Sequence, residues 1–231
     1  MRSDYLKGMY HGLPIGLGYL SVSFGFGITA VNAGLSVLEA VGISLTNLTS
    51  AGQVAGVAII AAAGTLIEMI ITQLVINIRY SLMAISLSQK VDGSFNTLQR
   101  LIVSFGITDE IYAVAIGQPN KINATYMKGL ILTPMIGWVS GTLLGAVAGN
   151  ILPQTITSAM GIMLYGMFIA IVVPPTKKQH SIILALLLAV TVNVILYYCL
   201  PVINSGFAVV ISALIASVVT ALLFPVKEDE Q

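Results

Sequence analysis

The sequence predicts an all-α membrane protein, a polytopic bundle of about six to eight transmembrane helices. Hydrophobic residues make up 57% of the 231 residues, charged residues only 8%, and the mean hydropathy is +0.96. A soluble domain carries about 25% charged residues, so this chain has too few to cover a surface in water. The apolar runs are continuous rather than alternating, which favours helices over a β-barrel. We expect residues 1–231 to form one transmembrane domain.

Composition excludes several classes of function. The net charge of +1 and the lack of a basic patch argue against nucleic-acid binding. Cys199 is the only cysteine, and His11 and His180 lie in polar loops, so no metal site and no Ser–His protease site is expected at depth. An aspartyl protease needs two Asp on separate helices, and only Asp109 lies near the middle of an apolar segment. We therefore expect neither an enzyme nor a bound cofactor.

The first predicted span, Leu13–Val31, is rich in small residues and is interpreted as an uncleaved membrane helix. Small residues four apart allow two helices to approach closely in lipid, where packing drives association. The pairs at this spacing are Gly12 with Gly16, Ser21 with Gly25, and Ser23 with Gly27. Asn32–Ser36 form a connection, in which Gly34 closes the helix.

The second apolar stretch, Val37–Ala63, is interrupted by hydroxyl and amide side chains between Ser44 and Gln53. Such a segment is a poor lipid-facing helix, and irregular backbone at depth is tolerated only where protein or a cavity surrounds it. The pattern favours a broken or re-entrant helix around Thr46–Gly52, of the kind that forms transport sites. An ordinary span with interior hydrogen bonds is the alternative, and the sequence does not decide between them.

The third stretch, Thr65–Leu87, carries Arg79 near mid-depth. An intramembrane Arg is costly to bury and indicates function by default, so it needs a partner. The next apolar segment, Leu101–Gly117, offers Asp109 and Glu110 near its middle. Arg79 is the only Arg or Lys within an apolar segment, so we expect it to pair with one of these carboxylates. One negative charge then remains, which a substrate ammonium or a proton could compensate.

The rest of the chain predicts further helices and a second packing surface. Glycine recurs every fourth residue at Gly137, Gly141, Gly145 and Gly149, which indicates a close helix–helix contact. A charge-free loop at Asn150–Thr157 follows, then spans at Ser158–Val173, at Ser181–Leu200 and up to Pro225.

Basic residues favour the cytoplasmic side, which predicts that both chain termini are cytoplasmic. The loops Lys90–Arg100 and Lys121–Lys128 are both basic, yet one apolar segment separates them. Either Leu101–Gly117 is re-entrant, or one of these loops breaks the rule. Two re-entrant segments, around Thr46 and Asp109, would place every basic loop inside and would suggest two inverted halves.

Several motifs together resemble the large subunit of the bacterial branched-chain amino-acid exporter family, the AzlC-type permeases. The motifs are Gly12-Leu13-Pro14-Ile15-Gly16-Leu17-Gly18, Ser23-Phe24-Gly25-Phe26-Gly27, Ser50-Ala51-Gly52-Gln53, Asn77-Ile78-Arg79-Tyr80-Ser81-Leu82 and Thr108-Asp109-Glu110-Ile111-Tyr112-Ala113. The resemblance covers nearly the whole chain. Val54 stands where family members commonly have an aromatic residue, and Tyr80 stands where His is frequent.

The resemblance implies a single permease domain in the bacterial cytoplasmic (inner) membrane that exports leucine, isoleucine and valine, with methionine as a further candidate. It also implies a small second membrane subunit, of AzlD type, as the partner. Secondary transport is the expected mechanism, with no cofactor and no metal. A channel, or a scaffold subunit without its own amino-acid site, is the alternative.

A zwitterionic substrate needs partners for its carboxylate, its ammonium and its apolar side chain. We expect Arg79 with Asn77 to hold the carboxylate, and Asp109 or Glu110 to meet the ammonium. The broken backbone with Ser50 and Gln53 would supply further hydrogen bonds. The substrate-binding candidates are thus Ser50, Gln53, Asn77, Arg79, Asp109 and Glu110, and either carboxylate is a candidate for proton coupling. An Arg–carboxylate clamp that only fixes the register of the helices remains the structural alternative.

Overall fold

The structure, a computed structural model, describes residues 2–149, 179–200, 202–203 and 205–225, together with residues 153, 155, 169, 173, 176 and 177. Over these residues it is helical, as predicted. The helices are α1 (Arg2–Asn32), α2 (Val37–Thr46), α3 (Ser50–Ala61), α4 (Leu66–Lys90), α5 (Thr97–Phe105), α6 (Asp109–Ile116), α7 (Ala124–Gly149), α8 (His180–Cys199) and α9 (Ser205–Leu223). The predicted loop Asn150–Thr157 and span Ser158–Val173 lie almost entirely outside the described residues.

Four of the described helices, α1, α4, α7 and α8, are long and apolar enough to cross a membrane. Helix α1 begins at Arg2 rather than at Leu13, so Pro14 lies inside the helix and not in its first turn as expected. The expectation that His11 lies in a loop is also wrong, because the longer helix includes it. Gly34 ends this helix as predicted, with a φ of 94° that residues with a side chain rarely adopt.

The chain forms two compact units, Met1–Val54 with Asn77–Leu164 and Ala55–Ile76 with Tyr165–Gln231. In the second unit, α8 contacts α9. Glu68 lies buried in the first turn of α4, where Thr65 Oγ1 accepts a hydrogen bond from the Glu68 backbone N–H. The candidate site described below belongs to the first unit.

Helices α1 and α7 run parallel and pack backbone against backbone. A Cβ atom added to Gly8 would collide with Tyr126, one added to Gly16 with Thr133, and one added to Gly27 with Thr142. The residue numbers rise together along both helices, which makes the pair parallel. The glycines of α7 contribute in the same way, because Gly137, Gly141 and Gly145 each lie against the α1 backbone. The small-residue ridges predicted in both segments therefore form one contact.

The predicted break near Thr46 is present, and the alternative of an ordinary span is wrong. Helix α2 ends at Thr46, α3 begins at Ser50, and irregular backbone separates them. Helix α2 has 10 residues and is thus about 15 Å long, roughly half of the hydrocarbon thickness.

A second break of the same length divides the segment that carries the carboxylates, between Phe105 and Asp109. The two breaks end alike. The Thr49 hydroxyl accepts a hydrogen bond from the Gly52 N–H at 3.3 Å, and the Thr108 hydroxyl accepts one from the Ile111 N–H at 3.4 Å. Each threonine thus caps the helix that follows it, because a hydroxyl satisfies an N–H left free in the first turn. This local match agrees with the predicted relation between two halves.

The two ends of the segment from α5 to α6 lie side by side, as the re-entrant alternative predicts. The Asp92 N–H donates to the Ile122 carbonyl at 3.0 Å, and the Ile122 N–H donates to the Lys90 carbonyl at 3.1 Å. The Ala124 N–H donates to Ser94 Oγ at 3.0 Å. The chain therefore enters α5 and leaves α6 at the same end of the bundle.

Gly16→Ala should destabilise the protein, whereas Gly18→Ala on the same helix should not. A Cβ at Gly16 would lie 2.7 Å from the Thr133 carbonyl oxygen, while a Cβ at Gly18 meets nothing within 4 Å. Both changes favour the helix by about 1 kcal/mol, but overpacking at Gly16 costs about 1–3 kcal/mol and separates α1 from α7. Thermal unfolding of the two variants in detergent measures the difference. Equal midpoints would contradict the close contact.

The re-entrant segment predicts that cysteines placed at Gly93 and Asn120 react from the same side of the membrane. Both positions are solvent-accessible in loops, and the single native cysteine is first removed by Cys199→Ala. An impermeant maleimide applied to right-side-out and inside-out vesicles reports the side. Asn32→Cys, at the far end of α1, should react from the other side. Labelling of Gly93→Cys and Asn120→Cys from opposite sides would show that the segment crosses the membrane.

Candidate functional site

The structure contains an ion pair between Arg79 and Asp109, as the sequence predicts. Arg79 Nη1 lies 2.7 Å from Asp109 Oδ2, a charge-assisted contact between α4 and the first turn of α6. The guanidinium carbon also lies 5.0 Å from the centre of the Tyr80 ring, within the range of a cation–π contact. Both charged side chains are partly exposed, at 41% and 32%, so neither is sealed in the core of the bundle.

Glu110 has a different partner from its neighbour. The Tyr19 hydroxyl of α1 donates a hydrogen bond to Glu110 Oε2 and lies 2.6 Å from Thr108 Oγ1. Successive residues on a helix do not face the same way, which explains why adjacent carboxylates reach different helices. The two carboxylates that the sequence left interchangeable are therefore distinct: Asp109 contacts a cation, and Glu110 contacts a neutral hydroxyl.

A chain of contacts joins Glu110 to the first helix break. The Tyr19 ring packs edge-on against Trp138 of α7, with 5.2 Å between ring centroids. Trp138 Nε1 donates to Gln53 Oε1 at 3.1 Å, and the Gln53 amide donates to the Asn47 carbonyl. Gln53 is only 1% exposed. It thus satisfies a carbonyl that the end of α2 leaves without an intrahelical partner.

A cavity of about 180 Å³ lies where the two breaks meet. The first break supplies Thr46, Asn47, Leu48 and Thr49, the second supplies Ser104, Phe105 and Ile107, and α4 supplies Asn77 and Tyr80. The lining is therefore half polar and half apolar. An engineered cavity of about 150 Å³ holds a benzene molecule, so this volume suits a small solute.

The six predicted site residues lie in one region of the structure, but they do not all line the cavity. Only Asn77 lines the cavity. Arg79 and Asp109 pair with each other, and Glu110 contacts Tyr19. Ser50 lies in the first turn of α3, just past the break.

Sequence reasoning did not single out the apolar part of the lining, Leu48, Phe105 and Ile107. These side chains look like ordinary membrane residues in the sequence. Their position within two residues of a capping threonine or a helix break is the signal that could have found them.

Among the described residues, no group of three or more His, Cys, Asp or Glu side chains could hold a metal ion. The candidate site is thus built from one ion pair, one carboxylate held by a tyrosine, and one small amphipathic cavity.

The structure has apolar helices of spanning length, two helices broken about half a bilayer from their starts, and a small cavity between the breaks. Together these features define a polytopic membrane protein of the transporter class. The chain belongs to the AzlC protein family, whose sequence pattern matches residues 14–152.

The relatives found by sequence are membrane proteins. The inner membrane protein YgaZ of Escherichia coli K12 is 26% identical over 228 residues, covering 96% of this chain and 91% of that protein. An uncharacterized membrane protein of Archaeoglobus fulgidus is 30% identical over 178 residues, covering 76% of this chain and 78% of its own length. One of Helicobacter pylori J99 is 27% identical over 186 residues, covering 77% and 80%. No solved structure matches the chain.

The ion pair predicts a strong coupling between substitutions at Arg79 and Asp109. Arg79→Gln leaves the Asp109 carboxylate without its cation, and Asp109→Asn leaves the guanidinium without its anion, so each change should lower the thermal midpoint. The double variant removes both charges and should be more stable than the sum of the two losses indicates, by about 1 kcal/mol or more. Unfolding of the four proteins in detergent measures this coupling, and additive losses would show that the contact contributes nothing.

Proposed function

We propose that this chain is the large subunit of a secondary transporter that exports branched-chain aliphatic amino acids, namely leucine, isoleucine and valine, with methionine as a further candidate. A small AzlD-type membrane subunit is its proposed partner, and the cytoplasmic membrane is its location. The observation that carries the proposal is the cavity between the two helix breaks. Membership of the AzlC family and the similarity to a named inner membrane protein support it.

The proposed substrate lies in the cavity with its polar groups toward the charged end of the site. Asn77 supplies a side-chain amide to the α-amino acid on the cavity wall. Arg79 and Asp109, which pair with each other in this state, exchange that contact for the carboxylate and ammonium of the substrate when the site rearranges. A zwitterion can replace an ion pair in this way because it carries both charges.

Ser50 and Gln53 act beside the cavity. Gln53 holds the Asn47 carbonyl, and Asn47 lines the cavity. Ser50 places its backbone N–H at the start of α3, where the helix dipole favours a negative group.

Glu110 is the proposed coupling group for protons. The positive charge of Arg79 cancels the negative charge of Asp109. The net negative charge of the three groups therefore lies on Glu110. The Tyr19 hydroxyl can donate to the ionised form or accept from the protonated form, so it serves both states.

The proposed orientation places both termini in the cytoplasm. The basic loops Lys90–Arg100 and Lys121–Lys128 lie at one end, and the hydrogen bond of 2.8 Å between His11 and Tyr126 brings the start of α1 to that end. Positive charge favours the cytoplasmic side. The same rule places Lys227, near the C-terminus, in the cytoplasm.

Leucine efflux from preloaded cells that lack their own exporters tests the function. This chain with its small partner should export leucine in a saturable way. Arg79→Ala and Asp109→Asn should reduce the rate at least about tenfold, a loss of at least about 1.4 kcal/mol of transition-state stabilisation. Glu110→Gln should retain exchange of leucine but lose the acceleration by an inward proton gradient, because a glutamine cannot carry the proton.

Ile102→Ala serves as the matched control, since this exposed residue of α5 does not line the cavity. Protein levels in the membrane are measured for every variant. Normal efflux in the Arg79 and Asp109 variants would show that the ion pair only fixes the packing of the helices. Non-saturable flux would indicate a channel, and the absence of flux for every aliphatic amino acid would overturn the proposed function.

A further inference from the structure

The two helix breaks present matched aliphatic side chains to the same cavity. Leu48 precedes the capping Thr49, and Ile107 precedes the capping Thr108. Both side chains are buried, at 8% and 7% exposure, and both line the cavity of about 180 Å³. Leu48 and Ile107 therefore match in their position along the break, in being aliphatic, in their burial and in the cavity that they line.

We propose that Leu48, Ile107 and Phe105 form a size-selecting wall that determines which amino-acid side chain the transporter accepts. The inference rests on the proposed function and goes further by assigning specificity to named residues. These three residues and the Tyr80 ring are the apolar part of the lining, whereas Thr46, Asn47, Thr49, Asn77 and Ser104 are its polar part. In the proposed binding mode, the polar part meets the backbone groups of the amino acid and the apolar part meets its side chain.

The wall is rigid on both sides, which is what selection by size requires. Leu48 packs in a cluster with Tyr19 and Trp138, and Trp138 is only 1% exposed. Those rings stand between Leu48 and the α1–α7 contact. A close-packed side chain cannot move aside for an extra methyl group without cost. Leu48 therefore sets a fixed boundary at the first break.

Ile107, at the second break, is packed against apolar neighbours as Leu48 is at the first. It belongs to the apolar cluster of α5, α6 and α7 that includes Val103, Ile111 and Ile131. The neighbouring Gly106 lies so close to Ile131 that a Cβ there would collide with it. Ile107 therefore cannot retreat toward α7. Phe105, which is 46% exposed, forms the open edge of the wall.

The geometry explains a preference for branched aliphatic side chains. An aromatic side chain is bulkier than a branched aliphatic one and would overpack against Leu48 and Ile107. A substrate with a smaller side chain would leave a gap between itself and the wall, and the dispersion energy of that contact would be lost. One methylene in an apolar pocket changes discrimination by about 10–200-fold.

The test is a selectivity measurement with the wild-type pair of subunits reconstituted in liposomes. Initial rates are compared for alanine, valine, leucine, isoleucine, methionine and phenylalanine. Ile107→Ala enlarges the cavity and should lower the ratio of leucine to phenylalanine transport at least about tenfold. Leu48→Ala should shift the ratio in the same direction.

Ile111→Ala is the matched control. It makes the same replacement at a buried residue, 1% exposed, in the same apolar cluster, but Ile111 does not line the cavity. Its ratio should stay at the wild-type value even where its stability falls. A shift of the same size in Ile111→Ala would overturn the assignment, because loosened packing would then explain the effect.

The outcomes separate this inference from the function on which it rests. Wild-type transport with an unchanged ratio in Ile107→Ala overturns the wall and leaves the exporter intact. No transport of any of the six amino acids by the wild type overturns both. If the alanine variants of the buried residues fail to accumulate, Phe105→Ala decides, because its half-exposed side chain can be removed without opening the core. An unchanged ratio there overturns the wall as well.

Discussion

The close contact between α1 and α7 is the interaction on which the described site depends. Each helix contributes one aromatic residue to the site, Tyr19 from α1 and Trp138 from α7. Tyr19 contacts Glu110 beyond the second break, and Trp138 contacts Gln53 beyond the first. A parallel pair of helices that meets backbone to backbone keeps these two rings in edge contact. Glycine at the interface permits that approach because it has no Cβ to separate the backbones.

A broken helix at membrane depth leaves backbone N–H and carbonyl groups that a continuous helix would pair, and these groups need other hydrogen-bond partners. Thr49 and Thr108 each cap a following helix, and Gln53 accounts for the Asn47 carbonyl. Hydrocarbon offers no hydrogen bonds, so every such group costs free energy unless protein or water meets it. Of these side chains, Thr49 also lines the cavity, whereas Gln53 and Thr108 do not. Thr49 therefore caps a helix and also lines the cavity that the proposed function assigns to the substrate.

The charges divide into two parts with different chemistry. The Arg79–Asp109 pair is a partly exposed contact between strong ions, and its partners can separate if a ligand supplies equivalent charges. The Glu110–Tyr19 contact joins a carboxylate to a neutral hydroxyl, which remains a partner in either protonation state. The first turn of α6 thus carries both carboxylates, one paired with a cation and one with a neutral hydroxyl. In the proposed function, this separation assigns substrate exchange to Asp109 and proton exchange to Glu110.

The membrane environment of the chain and its costly polar positions can be recognised from the amino-acid sequence. Low charge and continuous apolar runs indicated a helical membrane protein, and the unique Arg79 indicated a carboxylate partner. The polar residues near Thr46 were compatible with either a broken helix or an ordinary span, and the structure decided for the break. These features follow from the cost of polar groups in hydrocarbon, which depends on residue type and spacing. Only the tertiary structure decided that Asp109 rather than Glu110 meets the arginine, that Gln53 holds a helix end, and that Leu48 and Ile107 share a cavity. Each of these depends on the direction in which a side chain leaves its helix and on which helix lies opposite, and those directions arise only once α1 and α7 have packed.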